Sequence, residues 1–397
     1  MFRQLSDKVR YIGVDDLDCD LFESQYIVPE GISYNSYLVC DSMTAVLDTV
    51  DARKGEVWLK NLDEALEGRT LDYLVVHHME PDHSAMIGVL LEKYSEMKIV
   101  ASAKALQMIP QFFEKISLEG RTVAVKEGDV LDLGTHKLEF IAAPMIHWPE
   151  VVMSFDSSDG TLYSADAFGK FGALEKCGFY GRDDDDWSCE ARRYYFNIVG
   201  KYGAQVKALL AKVSLRNVKS IRPLHGPLLE DNLEDYISLY GTWSSYMPET
   251  EGVFIACASI HGGTMEVARK LEELLSAKGM KTSLSDICRS DFAENVEDAF
   301  RYSGMILAAS SYDGGLFTPM HEFLHRLQIK GYSNRTVGLV ENGSWAPSAG
   351  RVMKEMLGTM KNVTVIDPIV TIRSRMKAQD MDSLCKLADI IGDATKK

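Results

Sequence analysis

The regular alternation of apolar strands and amphipathic helices after residue 252 is the feature that most constrains the fold of this chain. Strands that alternate with helices in this way form a parallel sheet with helices on both faces, because each helix returns the chain to the end of the sheet where the previous strand began. We therefore predict a doubly wound, five-stranded parallel sheet. The predicted strands are 253–259, 281–287, 304–310, 336–342 and 363–368, and the predicted helices lie near 264–278, 291–301, 319–329, 348–358 and 376–393.

The preceding part of the chain has a different pattern, in which short apolar strands are separated by polar loops. Examples of such runs lie at 44–50, 71–77, 97–102, 138–144, 161–167 and 220–226. Residues 240–252 lack a period and contain Gly, Pro and Ser, so we interpret them as a linker. A chain of 397 residues is too long for one ordinary core, and we predict one domain at 1–250 and another at 251–397.

The net charge of −15 argues against nucleic acid as a partner, since phosphate binding requires a concentrated basic face. No apolar run approaches the roughly 20 residues of a membrane helix. The N-terminus also lacks a signal-peptide pattern, so we expect a cytoplasmic protein without membrane contact. The seven cysteines are scattered and include no C-x-x-C pair, which favours buried reduced thiols over a disulfide framework or a thiolate metal site.

The segment HMEPDH at 78–83 carries four groups that can bind a metal ion within six residues. It follows directly on a predicted strand, and its i, i+2, i+4 spacing places alternate side chains on one side of an extended loop. Pro81 stiffens the turn that must let the adjacent Asp82 and His83 converge. For this segment taken alone, the alternative is a charged surface loop with chance histidines.

Three further strand ends carry a possible ligand, and this recurrence strengthens the prediction of a metal site. His147, Asp166 and His225 each follow an apolar run, and the strand ends of one sheet can meet in space. The combined set has four imidazoles and three carboxylates, which is more than one tetrahedral zinc ion accepts. It suits two ions bridged by a carboxylate, and such a nitrogen and oxygen set favours iron or manganese. The candidate ligands are His78, Glu80, Asp82, His83, His147, Asp166 and His225.

The first strand of the C-terminal pattern ends in a loop rich in Ser, Gly and Thr that leads into a helix. Such a loop offers backbone N–H groups and a helix dipole to a phosphate, although helix capping alone is the simpler alternative. The absence of G-x-G-x-x-G disfavours a dinucleotide, and the loop resembles the S-x-x-G-x-T phosphate loop of flavodoxins. Two more loops follow strands of the same sheet, where ligands bind in this topology. The candidate FMN-binding residues are Ser259, Ile260, His261, Gly262, Gly263, Thr264, Ser311, Tyr312, Asp313, Gly314, Gly315, Asn342, Gly343, Ser344 and Trp345.

Together these patterns resemble the metallo-β-lactamase fold, and specifically its flavodiiron branch. Hydrolases of that fold carry H-x-H-x-D-H, whereas the second position here is Glu80, as in flavodiiron proteins. The resemblance spans essentially the whole chain and implies an αββα sandwich followed by a flavodoxin-like domain. The iron ligands that it implies are His78, Glu80 and His147 for one ion, Asp82, His83 and His225 for the other, and Asp166 as the bridge.

The resemblance also points to two residues near the metal site. Many family members have a histidine in an F-H-G segment upstream of G-T-T-Y-N, where this chain has Glu23 within F-E-S. Glu23 is therefore a candidate for proton supply beside the ligands, with an ordinary solvated glutamate as the alternative. Tyr195 lies on a helical segment that approaches the metal pocket in this family, and core packing is its alternative. The aspartate run at 183–186 is interpreted as a solvated loop.

The resemblance implies an oxidoreductase in which electrons pass from FMN to two non-haem irons that reduce O₂ to water or NO to N₂O. It also implies head-to-tail homodimers, and a tetramer stays open. Because C-x-x-C pairs are missing, we expect no rubredoxin module in the chain, and a separate carrier such as rubredoxin as the donor. The alternatives are a dinuclear zinc hydrolase with an accessory flavin domain, and an electron carrier or gas sensor without turnover.

Overall fold

The structure, a computed structural model, describes residues 2–184 and 186–396, which divide into two units. The N-terminal unit consists of Met1–Tyr195 and Ala204–Tyr240, and the C-terminal unit consists of Phe196–Gly203 and Gly241–Lys397. The described part of the chain contains no helix that is both long and apolar enough to cross a membrane.

The strands of the N-terminal unit are short. They are β1 (Arg3–Gln4), β2 (Val9–Tyr11), β3 (Val14–Asp16), β4 (Leu21–Phe22), β5 (Tyr26–Ile27), β6 (Ile32–Tyr34), β7 (Tyr37–Cys40), β8 (Thr44–Leu47), β9 (Tyr73–Val76), β10 (Lys98–Ser102), β11 (Thr122–Val125), β12 (Val130–Asp132), β13 (Lys137–Ala142), β14 (Val152–Asp156), β15 (Thr161–Tyr163) and β16 (Ser220–Arg222). Its helices are α1 (Gly55–Leu66), α2 (Pro81–Ser84), α3 (Ile87–Lys93), α4 (Ala103–Phe112), α5 (Leu174–Cys177), α6 (Trp187–Tyr194), α7 (Gly203–Val213) and α8 (Leu233–Ser244). The first residue of α7 and the last four residues of α8 are assigned to the C-terminal unit.

Two sheets pack face to face to form the core of this unit. The first has the order β1-β2-β7-β8-β9-β10-β11, with β8 to β11 parallel, and the second has the order β12-β13-β14-β15-β16, with only β15 and β16 parallel. Alternate apolar residues of both sheets meet in one buried cluster, as the period of two along a strand requires. The cluster includes Val39, Leu47, Val75 and Val100 from the first sheet and Leu138, Phe140, Val152 and Tyr163 from the second. The predicted metallo-β-lactamase-like sandwich is thereby confirmed.

The C-terminal unit is built on a parallel sheet with helices between its strands. The strands are β17 (Thr250–Ala258), β18 (Thr282–Asp286), β19 (Tyr302–Tyr312), β20 (Gly315–Leu316), β21 (Arg335–Asn342), β22 (Val363–Val365) and β23 (Val370–Ile372). The helices are α9 (Gly263–Ser276), α10 (Phe292–Arg301), α11 (Thr318–Ile329), α12 (Ala349–Leu357) and α13 (Met381–Thr395). The order β18-β17-β19-β21-β22 is the flavodoxin-like order, which confirms the predicted doubly wound class.

The C-terminal unit and the linker show two local differences from the sequence prediction. Two short strands were not predicted: β20 pairs antiparallel with β19, and β23 pairs parallel with the end of β21. The predicted linker at 240–252 is also mostly regular structure, because α8 continues to Ser244 and β17 begins at Thr250. Tyr240 and Trp243 of this segment are fully buried, so tertiary packing outweighs the local Gly and Ser signals.

Candidate functional site

Four side chains of the N-terminal unit bring ligand atoms close to one another. The Nε2 atoms of His78 and His147 lie 3.4 Å apart, and Glu80 Oε2 lies 3.3 Å from the first and 3.0 Å from the second. Asp166 Oδ2 lies 3.2 Å from each of these nitrogens. These residues, predicted from four separate positions in the sequence, form one group that could hold a metal ion.

Three further side chains form a second group beside Asp166. The Nε2 atoms of His83 and His225 lie 3.0 Å apart, and Asp82 Oδ2 lies 3.4 Å from the first and 3.3 Å from the second. Asp166 approaches this group with its other oxygen, Oδ1, at 3.4 Å from His83 and 3.8 Å from His225. One carboxylate thus faces both groups, and the structure brings all seven candidate ligands into a single cluster.

Loops at the ends of strands place these side chains. Asp166 and His225 each lie three residues beyond a strand, and the two strands, β15 and β16, are parallel neighbours, so both residues emerge at the same edge of the sheet. His78 follows β9 in the other sheet, and the single helical turn α2 begins at Pro81. Within this turn His83 N–H donates to the Glu80 carbonyl oxygen at 2.9 Å. This turn directs the side chains of two adjacent residues, Asp82 and His83, into the same ligand group.

The loops around the cluster contain backbone conformations that are unusual for residues other than glycine. Met145, Ala165 and Phe168 have φ angles of 66°, 49° and 65°, in the left-handed region. Each costs roughly 1 kcal/mol or more for an L-residue with a side chain. All three lie within two positions of a candidate ligand, so the fold maintains local strain where it positions these side chains.

Hydrogen bonds to the outward-facing ring nitrogen orient two of the imidazoles. His78 Nδ1–H donates to Glu150 Oε1 at 2.8 Å, and Met79 N–H donates to the same oxygen at 2.9 Å. His225 Nδ1–H donates to the Ser33 carbonyl oxygen at 2.7 Å. A proton on Nδ1 leaves the Nε2 lone pair free for a metal ion. Sequence reasoning missed both acceptors, because they lie 72 and 192 positions from the histidines that they orient.

The donor atoms of the cluster fit a pair of metal ions. Both side-chain oxygens of Asp82 and Oδ1 of Asp166 are buried without a hydrogen-bond partner in the described part of the chain, although buried polar atoms are nearly always paired. Two ligand atoms that each lie about 2.1 Å from one ion, at an angle of about 90°, are about 3.0 Å apart. The Nε2 pairs, at 3.4 Å and 3.0 Å, are close to this separation. Three carboxylates among seven ligands favour iron or manganese over copper.

The charges of the cluster also favour bound cations. Burial alone would raise the pKa of Asp166, but the neighbouring His78, His147 and His83 hold it well below its usual range. Burial alone would lower the pKa of His147, but Asp166 and Glu80 raise it to about 9. Positive charge nearby therefore stabilises the buried carboxylates. Metal ions and protons compete for the same imidazole nitrogens.

Aromatic side chains form a wall on the His225 side of the cluster. The ring centroids of Phe22, Tyr34 and Tyr194 lie 5.2, 6.0 and 5.7 Å from that of His225. The Tyr194 hydroxyl is buried without a hydrogen-bond partner among residues 2–184 and 186–396. Burial raises its pKa well above the usual value, with Asp166 and Asp82 adding to the effect, so this hydroxyl keeps its proton.

The two additional residues predicted from the resemblance have other surroundings. Tyr195 packs against Tyr240, with ring centroids 5.0 Å apart. The neighbouring Tyr194 faces His225 instead, because successive residues of a helix point about 100° apart. Glu23 lies exposed in the turn between β4 and β5, and its carboxylate accepts a hydrogen bond from Gln25 at 3.1 Å. Their proposed roles beside the ligands remain predictions.

Two other features of the sequence have structural surroundings. His77 lies between Asp48, at 2.5 Å from Nδ1, and Ser154, at 2.8 Å from Nε2. All three are at most 1% exposed, so no substrate can reach this Ser-His-Asp set. In the aspartate run at 183–186, Asp184 forms an ion pair with the buried Lys170 rather than lying free in solvent, and residue 185 lies outside the described residues.

A cavity of about 660 Å³ opens at the carboxyl ends of the parallel strands in the C-terminal unit. Its wall comprises the predicted loops after β17, β19 and β21, and a further loop after β23. Two predicted residues do not line it: Gly262 precedes α9 with φ of 85°, and the Gly315 carbonyl oxygen accepts from Ser348 Oγ. The lining residues are Ser259, Ile260, His261, Gly263, Thr264, Ser310, Ser311, Tyr312, Asp313, Gly314, Asn342, Gly343, Ser344, Trp345, Ala346, Ser374 and Arg375.

Asn342 connects the loops of this cavity. Its Nδ2 donates to Thr264 Oγ1 at 3.2 Å and to the Ser374 carbonyl oxygen at 3.0 Å, while its Oδ1 accepts from Ser374 N–H at 2.9 Å. The loop that contains Ser374 follows β23, a short strand that was not predicted from the sequence. The lining residues missing from the sequence prediction are Ser310, Ala346, Ser374 and Arg375.

The cavity has the features that a flavin mononucleotide requires. α9 begins at Gly263, so its first N–H groups and positive dipole end lie in the cavity wall, where a phosphate binds well. Glycine at two positions of the wall lets neighbouring loops approach each other closely around the cavity. A Cβ at Gly263 would overlap the Ser374 carbonyl oxygen, and a Cβ at Gly343 would lie 2.8 Å from Pro347 Cα. Trp345 is 88% exposed and offers an aromatic face for stacking. The volume lies within the range of small-molecule sites.

Comparisons with known proteins agree with the fold of both units. A family model described as ODP family beta lactamase matches residues 32–226. Diflavin flavoprotein A 1 of Nostoc sp. is 26% identical over 390 residues, covering 97% of this chain and 66% of the relative. Anaerobic nitric oxide reductase flavorubredoxin of Aliivibrio fischeri is 27% identical over 348 residues, covering 86% of this chain and 69% of the relative.

Solved structures show the same fold. Rubredoxin oxygen:oxidoreductase from Desulfovibrio gigas is 24% identical, with a TM-score of 0.91 over 100% of this chain and 98% of that one.

The chain spans less than two thirds of the length of the diflavin relatives, with 66%, 56% and 54% covered in three of them. Sequence and structure comparisons together show that this chain is similar to diflavin flavoproteins and flavorubredoxins and, in fold, to a rubredoxin oxygen:oxidoreductase.

Proposed function

We propose that this chain is a flavodiiron oxidoreductase that passes electrons from FMN to a pair of non-haem iron ions, where O₂ is reduced to water or NO to N₂O. The observation that carries the proposal is the joint presence of a seven-ligand cluster and a flavin-sized cavity in one chain of this fold. The names of similar proteins support both substrates, since one is a nitric oxide reductase and another a rubredoxin oxygen:oxidoreductase.

Two sets of residues would hold the metal ions, and the loops of the cavity would hold FMN with its phosphate at the start of α9. Iron in such a site donates electrons to a diatomic gas, while the flavin stores two electrons and releases them singly. The proposed ligands are His78, Glu80 and His147 for one ion and Asp82, His83 and His225 for the other, with Asp166 between them.

The protein itself prepares the ligand atoms and holds protons. Glu150 and the Ser33 carbonyl accept the Nδ1 protons of His78 and His225, and this directs both Nε2 lone pairs into the cluster. Tyr194 keeps its hydroxyl proton and can donate a hydrogen bond to a polar atom beside the cluster. The aromatic wall around His225 limits access of water.

We include in the proposal a cytoplasmic location, a separate electron carrier such as rubredoxin, and head-to-tail homodimers or a tetramer built from them. In such a dimer, the FMN of one subunit lies beside the irons of the other. The exposure of Trp345 and Tyr312 at the mouth of the cavity supports an interface there, because exposed apolar groups of this size often mark contact surfaces.

Anaerobic reduction followed by parallel exposure to O₂ and NO tests the proposal, with iron and flavin quantified in the same sample. We expect reoxidation of the flavin by at least one gas, at a rate that depends on bound iron. Esterase or thioesterase turnover with stoichiometric zinc would instead favour the hydrolase alternative. A stable gas adduct without product would favour a sensor.

A further inference from the structure

The net charge of the chain is unequally divided between its two units. The N-terminal unit carries 24 Lys and Arg against 39 Asp and Glu, whereas the C-terminal unit carries 19 of each. The whole formal charge of −15 therefore belongs to the N-terminal unit. A charged partner that carries electrons is attracted or repelled by this distribution as well as by local contacts.

Cations are concentrated next to the flavin cavity. The loop after β23 has the sequence R-S-R-M-K at 373–377, and its three basic side chains are exposed. A groove of about 610 Å³ runs beside this loop and shares His261 and Arg375 with the cavity. Arg269 and Lys270 of α9 line the same groove. We call this surface, formed by Arg269, Lys270, Arg373, Arg375 and Lys377, the cationic rim.

The cationic rim keeps an excess of positive charge. Of the groove carboxylates, Glu266 pairs with Arg375 at 2.8 Å and Glu273 pairs with Lys270 at 2.8 Å. No carboxylate of the described residues forms an ion pair with Arg269 or Arg373, and both are exposed. Lys377 Nζ donates to the carbonyl oxygens of Arg373 and Arg375 at 2.8 and 3.1 Å, and its backbone N–H donates to Asp380 Oδ2 at 2.8 Å. The five cations of the rim thus contact three carboxylates, Glu266, Glu273 and Asp380, and positive charge remains in excess.

We infer that the cationic rim is the docking surface for a small acidic electron-carrier protein that reduces the flavin. The inference deepens the proposed function and rests on it, since it names the partner of the flavin cavity. The acidic N-terminal unit repels such a carrier, whereas the neutral C-terminal unit offers it one basic surface beside the cofactor. A basic carrier would be drawn to the N-terminal unit instead. Ile260, 38% exposed at the cavity, adds an apolar contact within a charged rim, as in many protein interfaces.

Charge reversal on the FMN-loaded, iron-loaded protein tests this surface. The test variant is Arg269→Glu/Arg373→Glu. The matched control is Lys281→Glu/Lys361→Glu, which changes the net charge by the same amount. These exposed lysines precede the amino ends of β18 and β22, whereas the cavity lies at the carboxyl ends of the strands. Stopped-flow spectroscopy measures flavin reduction by reduced rubredoxin, used as the acidic carrier, between low and high salt. A milder variant, Arg269→Gln/Arg373→Gln, covers the case in which reversal impairs folding.

We expect the test variant to lower the bimolecular rate constant by about tenfold or more at low salt and to weaken its salt dependence, with the control at the wild-type rate. Equal rates in all variants would overturn the inference. Flavin reduction by NADPH that is lost in the test variant, without reduction by rubredoxin in the wild type, would overturn it in favour of a nucleotide. Photochemical reduction with deazaflavin, followed by O₂ or NO, reports separately on the proposed function, because it bypasses docking.

Discussion

Replacement of Glu150 by alanine tests whether the orientation of His78 depends on a buried carboxylate. Glu150 is 1% exposed, and its Oε1 accepts from two buried donors, His78 Nδ1–H and Met79 N–H. Each buried donor left unpaired costs about 1–3 kcal/mol, so the metal-free protein should lose about 2–6 kcal/mol of unfolding free energy. Loss of the group that orients a metal-binding histidine typically lowers metal affinity by about 10- to 100-fold, or about 1.4–2.7 kcal/mol.

The assay has two parts: urea unfolding of the metal-free protein, and competition for iron against a chelator of known affinity. Glu150→Gln keeps an acceptor but removes the charge, so we expect an effect between wild type and Glu150→Ala. Glu139→Ala is the control. Glu139 lies on β13, pairs with Arg216 and belongs to neither ligand group. Wild-type iron affinity in Glu150→Ala would refute the argument that this carboxylate fixes the ring.

Four further predictions follow from the two sites and from one buried ion pair. Gly343→Ala should lower flavin content, measured by absorbance, because the new Cβ would lie 2.8 Å from Pro347 Cα; full occupancy would contradict this. Tyr194→Phe should leave the unfolding free energy unchanged or raise it by about 1 kcal/mol, since it removes an unpartnered buried hydroxyl, while gas turnover falls several-fold. The hydrogen bond to Asp156 raises the pKa of His136 above 6.5, so its stabilising effect is complete below pH 6.5 and is lost as pH rises through the higher, folded-state pKa. His136→Asn should therefore lower the melting temperature more at pH 6 than at pH 9. Chelation of bound iron should lower the melting temperature of the N-terminal unit, measured by calorimetry, without release of flavin, because the two unpaired carboxylate oxygens of Asp82 lose their cation.

The sequence was sufficient to predict features that depend on neighbouring residues. The strand and helix alternation after residue 252 gave the class of the C-terminal sheet, because hydrophobic periodicity is a local property. The HMEPDH segment and the loop that begins at Ser259 indicated metal and phosphate chemistry, because their residue types lie within a few positions of one another. Even His147, Asp166 and His225 could be proposed, since each follows a recognisable apolar run.

Only the tertiary structure decided how distant residues meet. It placed Asp166 Oδ2 with one ligand group and Oδ1 with the other, and it supplied Glu150 as the acceptor for His78. It also selected Tyr194 rather than Tyr195 to face His225. The physical reason is that side-chain chemistry and period are written locally in a sequence. Contacts between residues 72 or more positions apart depend instead on strand pairing and packing, which no local pattern specifies.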